Sequence, residues 1–187
     1  IEQGKLLHFG KEKYVLFEIS FIQENINLGR AIFNMRLNGF QPILAHPERY
    51  EYWHSDFSRY ESMLDKEVLL QVNINSLTGQ HGPNVRRIAE KLIAKGMVSF
   101  IGSDCHHVGH IDLMEQARSS PSMKIFLESS RSLHSTISAP CRSVMLSAAS
   151  YCCAASAAAR AGSAAARCSG VSRAFQASMG EAPVGTA

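Results

Sequence analysis

Apolar positions along the first 128 residues alternate between short runs and helical stripes. Residues 13–20 (KYVLFEIS) are apolar, β-branched and aromatic until a carboxylate interrupts at Glu18, the pattern of a short buried strand. Residues 25–38 place Ile26, Ala31, Ile32 and Met35 on one helical stripe, and Gly39 follows as a helix-ending glycine. A second strand over 42–45 runs straight into His46 and Pro47. A helix over 57–66 precedes a third strand at 68–74, which ends among polar Asn73, Asn75 and Ser76. The loop 77–83 (LTGQHGP) leads to Asn84, a good N-cap for a helix through Lys95 with Val85, Ile88, Ala89, Leu92 and Ile93 inward. Gly96 closes that helix, a fourth strand covers 97–101, and a last helix is expected over 113–128. Strands alternating with helices predict an α/β chain with parallel strands.

Composition divides the chain in two. The 187 residues suit one ordinary domain, and 45% hydrophobic with 19% charged residues are globular averages. From Ser129 onward, however, about half the residues are Ala or Ser, the only acid is Glu181, and five Arg stand without a Lys. The body is near −1 and the tail near +4, so the overall +3 belongs to the tail and does not argue for nucleic-acid binding by the folded part. Cys105 lies in the body and Cys141, Cys152, Cys153 and Cys168 in the tail, with no disulfide spacing, so a reducing cytoplasm is the default. No apolar run approaches the ~20 residues that span a bilayer. The chain opens at Ile1 with a strand almost at once, and its true N-terminus is expected to be missing.

Three of the four strands end in residues able to bind metal: Glu18, His46, and the pair Asp104 and His106. In parallel α/β folds the loops after the strands converge on one mouth, where active sites form. Carboxylates with imidazoles suit Mn, Fe or Zn. Taken singly, Glu18 reads as a surface acid and His46 equally as a turn histidine held by backbone. Their equivalent places in successive strand–helix units favour a joint site. His8, His54, His81 and His134 lack such placement, His107 and His110 are near enough to touch substrate, and Cys105 reads as a small buried filler.

Three segments carry a specific likeness: 42–50 (PILAHPERY), 71–79 (QVNINSLTG) and 100–106 (FIGSDCH). In this order and spacing, over roughly residues 1–118, the chain resembles bacterial tyrosine-protein phosphatases of the polymerase-and-histidinol-phosphatase (PHP) family, manganese-dependent enzymes that act beside capsular and exopolysaccharide synthesis. The resemblance implies the C-terminal part of a distorted β/α barrel holding a divalent metal cluster, commonly Mn, with Fe or Zn as alternatives. It makes Glu18 the bridging carboxylate, His46 a ligand, Asp104 and His106 the last metal-binding pair, and Arg49 the phosphate-binding residue. The implied reaction is hydrolysis of protein phosphotyrosine by a metal-bound hydroxide. The implied partner is a phosphotyrosine protein, a polysaccharide-synthesis tyrosine kinase first of all, with no nucleic acid and no direct membrane insertion. The bottom-up chemistry agrees, since clustered metals activate water and a guanidinium fork suits a phosphate.

The sequence departs from the family where its first His-x-His motif, the acid after it and a further His belong; none is present. No Arg follows Asp104 and His106 until Arg118. A small-metabolite phosphatase of the histidinol-phosphate type and an inactive fragment are the rival readings. Domain organisation is expected as a partial phosphoesterase over 1–118 and an Ala/Ser-rich tail over 119–187, either disordered or read from a shifted frame.

Overall fold

The computed structural model describes residues 6–133 and 144–145. Five parallel strands lie in chain order: β1 (Tyr14–Phe17), β2 (Gln41–Ala45), β3 (Leu69–Asn73), β4 (Val98–Gly102) and the two-residue β5 (Val144–Met145). Between them run α1 (Leu28–Leu37), α2 (Ser58–Asp65) and α3 (Pro83–Ala94), then α4 (Gly109–Arg118) and α5 (Pro121–Leu133). Buried Leu44, Leu70, Val72 and Ile101 of the sheet share one core with Ile32, Met63, Ile88 and Leu92 of the helices. The register sets Phe17 beside Leu44, Ala45 beside Gln71 and Asn73 beside Gly102, so the strands finish along one edge. Expected and observed elements agree to within a few residues at each end through β4.

Helix endings recur. After α1 the Phe40 N–H donates to Met35 O and the Gly39 N–H to Arg36 O, with Gly39 at φ 75°. Gly96 repeats the device after α3.

Two expectations need correction. Asn84 does not cap α3: Gly82 occupies the N-cap, without a side-chain cap, and Pro83 takes the first helical position that its fixed φ and missing N–H suit. The single helix expected over 113–128 is two, because Ser119 and Ser120 end α4 and Pro121 starts α5 in the same way. α5 buries Met123 and Phe126, so the folded core runs past the boundary expected at 118. The tail expectation otherwise falls on residues 134–143 and 146–187, outside the described ones. Among the described residues no helix is long and apolar enough to cross a membrane.

Candidate active site

The chain leaves β2 through a strained turn. His46 sits at φ 36°, ψ 52°, in the left-handed region that a non-glycine residue enters at a cost of roughly 1–3 kcal/mol. The chain then folds into a 3-10 turn, Pro47–Arg49, closed by the Arg49 N–H donating to His46 O at 3.0 Å. Beyond β4, Asp104 is left-handed too, at φ 43°. Two of the predicted ligands thus occupy backbone conformations that the surrounding structure must hold in place.

Glu48, next along this turn, is fully buried and braces it. Its Oε1 accepts from the Asn73 N–H at 3.0 Å and from the Ser76 hydroxyl at 2.7 Å, which ties the β2 exit to the β3 exit. Its Oε2 is buried without a partner, and burial pushes the carboxyl up to about 7. Tyr50, also buried, joins β2 to the β1 exit: its hydroxyl donates to Ala45 O and accepts from the Ile19 N–H, both at 3.1 Å.

These exits surround an open cavity of about 250 Å³. Leu16, Phe17 and Ala45 form its apolar wall, and Glu18, His46, Gln71, Asn73 and Asp104 its polar one. The His46 ring, only 7% exposed, meets Glu18 Oε2 through Nε2 at 3.2 Å. Burial first, then the Arg49 charge, lowers the His46 pKa, which keeps its imidazole neutral and available as a ligand. Arg49 donates to Asp104 Oδ2 at 3.1 Å, and Asn73 Nδ2 donates to the same oxygen at 3.0 Å. His106 is not in the cavity wall. It is 67% exposed, and its Nδ1 lies 2.8 Å from Asp104 O and 3.5 Å from Asp104 Oδ1.

Glu18, His46, Asp104 and Arg49 therefore share one mouth, with His106 at its rim. Oxygen and imidazole donors are right in kind for a divalent cation, and His46 Nδ1 is buried without a partner. They are short in number: among the described residues no group of three or more His, Cys, Asp or Glu is spaced to hold an ion as it stands.

Four residues about the site take places that the sequence reading does not give them. Phe21 stacks on the His46 ring at 5.4 Å and lies 4.7 Å beneath the Arg49 guanidinium; its only signal is an aromatic three positions past Glu18. Asn73 reads simply as part of the polar end of a strand, and Gln71 enters only as the first residue of the segment 71–79. His110 is 8% exposed; its Nδ1 accepts from the His106 N–H at 3.4 Å, and its Nε2 meets the Gln80 amide at 2.7 Å, so it packs under the Asp104–His106 loop. Cys105 is buried, as its neighbours suggested.

The model of the family described as "Capsular polysaccharide synthesis, CpsB/CapC" matches residues 1–125. The tyrosine-protein phosphatase YwqE of Bacillus subtilis is 27% identical over 108 residues, 58% of this chain and 42% of its own length. A putative tyrosine-protein phosphatase, CapC of Staphylococcus aureus, is 25% identical over 108 residues with the same coverage. Tyrosine-protein phosphatase CpsB of Streptococcus pneumoniae is 20% identical over 113 residues, 58% of this chain and 46% of its own. This chain thus spans less than half the length of these relatives. Crystal structures of YwqE and CpsB, described as unique metal-dependent tyrosine phosphatases, include a chain similar in fold at TM-score 0.54 and 22% identity, covering 71% of this chain and 56% of that one. With the family model covering both the strand exits and the cavity they enclose, this chain belongs to the capsular polysaccharide synthesis family CpsB/CapC.

Proposed function

We propose that this chain carries part of the active site of a metal-dependent phosphoesterase that hydrolyses phosphotyrosine on proteins during capsule or exopolysaccharide synthesis. The observation that carries the reading is the meeting of Arg49 with Asp104, at 3.1 Å, over a cavity shared with His46 and Glu18. Its family membership and the names of its relatives support the substrate class. The parallel sheet is read as an arc of a distorted barrel, with the site at the strands' C-terminal mouth.

Glu18, His46, Asp104 and His106 would hold divalent cations, Mn first, with Fe or Zn as alternatives. Bound cations would supply a water acidified toward neutral pH and positive charge for the phosphoryl oxygens. Arg49 presents a planar fork that matches two phosphate oxygens, where Lys would offer a point charge. Phe21 beneath the guanidinium and Asp104 beside it fix the direction of that fork. The neutral His46 keeps a lone pair free for a metal. The substrate protein is read as a tyrosine kinase of polysaccharide synthesis, and the compartment as the cytoplasm.

The test is the product of the complete gene, assayed with Mn on a phosphotyrosyl peptide and on a panel of small phosphomonoesters. Preferred hydrolysis of the peptide, abolished by a chelator, is expected. Faster turnover of a small ester such as histidinol phosphate, or indifference to the chelator, would overturn the reading.

A further inference from the structure

Asp104 Oδ2 accepts from two donors, Arg49 and Asn73, and the Asn73 contact continues inward. Asn73 Oδ1 accepts from Gln71 Nε2 at 2.9 Å. Gln71 and Asn73 are 4% and 1% exposed, so their amides have little water to turn toward. An ionised carboxylate can only accept, so Asn73 must offer it Nδ2. Asn73 Oδ1 then faces Gln71, which must answer with Nε2. The charge on Asp104 thereby sets the orientation of both amides.

β4 is shaped around this pair. A Cβ built at Gly102 would lie 2.3 Å from Gln71 Nε2 and 2.7 Å from its Cδ, closer than any side chain tolerates. The β3–β4 register shifts between Leu70 and Gln71, beside the same contact. Asn73 is anchored from its other side as well, through its N–H to the buried Glu48 carboxyl.

We propose that Gln71 and Asn73 are positioning residues for Asp104, and that Gly102 is small because Gln71 must pass it. The relay holds Oδ2 turned toward Arg49, which leaves Oδ1, the oxygen nearer His106, as the one presented to a cation. Asp104 therefore binds through a single oxygen, on the side where His106 stands. The cation in this statement rests on the function proposed above, whereas the relay itself does not.

The experiment is nuclear magnetic resonance on the full chain, with two readouts. In metal-free protein, Asp104→Ala should move the side-chain NH2 signals of both Asn73 and Gln71, although only Asn73 touches Asp104. A Gln71 signal that stays in place overturns the relay. In the second readout Mn2+ is titrated in and broadening of the Cys105 amide is followed, a measure that also detects weak binding. Gln71→Met and Asn73→Leu should each raise the half-broadening concentration about 10-fold, the scale on which partners of metal ligands act. Gly102→Ala should act in the same direction by displacing the Gln71 amide. Unchanged midpoints in folded Gln71→Met protein overturn the positioning role. If Mn2+ broadens nothing in the unsubstituted chain, the presentation of Oδ1 to a cation falls, while the metal-free readout still decides the relay and the chelator assay on the complete gene product still decides the metal.

Discussion

At the scale of single residues, Glu48 departs furthest from what its sequence context suggests. A glutamate between His46 and Arg49 invites a reading as a surface acid or a partner for the arginine. Instead it is fully buried, with one oxygen satisfied twice and the other not at all. Burial raises its carboxyl from the ordinary 4.5 to about 7, so the folded chain holds the proton more tightly than the unfolded one. The sign follows: the native state is favoured most below the unfolded pKa and loses stability as pH rises toward 7. Between pH 5 and pH 8 that loss is on the order of 2 kcal/mol. Glu48→Gln keeps an acceptor for Asn73 and Ser76 but cannot ionise. Chelator-treated protein unfolded by urea should therefore show the variant close to the parent at pH 5 and more stable than it by about 2 kcal/mol at pH 8. Parallel pH profiles for the two proteins would mean that Glu48 does not titrate in this range. Arg49 belongs to the same scale. In the product of the complete gene, Arg49→Lys should lower turnover of a phosphotyrosyl peptide roughly 10-fold or more, because the bidentate fork becomes a point charge. Turnover equal to the parent's would remove Arg49 from phosphate binding.

Among the elements, strands and helices were legible because their apolar period is local: the β2 run PILA and the α3 stripe from Val85 to Ile93 leave little choice of structure. The candidate site was legible for a related reason, since Glu18, His46 and Asp104 each stand just past such a run. The 3-10 turns at Pro47–Arg49, Glu51–Trp53 and Ile74–Thr78 were not, because long-range partners hold them. Glu48 reaches Ser76, Tyr50 reaches Ile19, Trp53 Nε1 donates to Glu24 at 3.0 Å, and Tyr52 donates to Ser20 O at 2.7 Å. No window of sequence contains both ends of these bonds. Their joint effect is to lay the segment after β1 across the site, with Phe21 on His46. Tyr50→Phe tests this packing with the smallest available change. It strips a partner from the Ile19 N–H and from Ala45 O, at a cost of about 1–3 kcal/mol. The thermal midpoint should fall, and hydrogen exchange at Ile19 should rise more than at buried amides of α3. Unaltered exchange at Ile19 would show that the hydroxyl does not hold the β1 exit.

Taken as a whole, the molecule combines a well-packed centre with one open flank. β1 is the first strand of the sheet order, Leu16 on it is 42% exposed, and Phe33 and Leu37 of the following helix are 64% and 72% exposed. Ile22 and Ile26, between the two elements, are 88% and 97% exposed. A strand edge flanked by so many bare apolar side chains favours association with other chains over a stable monomer. The donor set is open in the same sense. Glu18 is 67% exposed and His106 likewise, Asp104 Oδ2 is already taken by Arg49 and Asn73, and the described residues hold no ready-made group for an ion. A multinuclear phosphoesterase needs several donors on each metal, and four shared among a whole cluster do not meet that demand. This chain alone should therefore hydrolyse a phosphotyrosyl peptide about 100-fold or more slowly than a complete metal site allows, even saturated with Mn. The measurement sets the purified 187-residue chain beside the Bacillus subtilis relative, at equal concentration, with Mn in excess and with aggregates removed by size exclusion. The inactive-fragment reading predicts a rate near the no-enzyme blank, unaffected by Asp104→Ala. Comparable rates from the two proteins, lost on that substitution, would show that Glu18, His46, Asp104 and His106 suffice, and the shortage of donors argued from their geometry would be wrong.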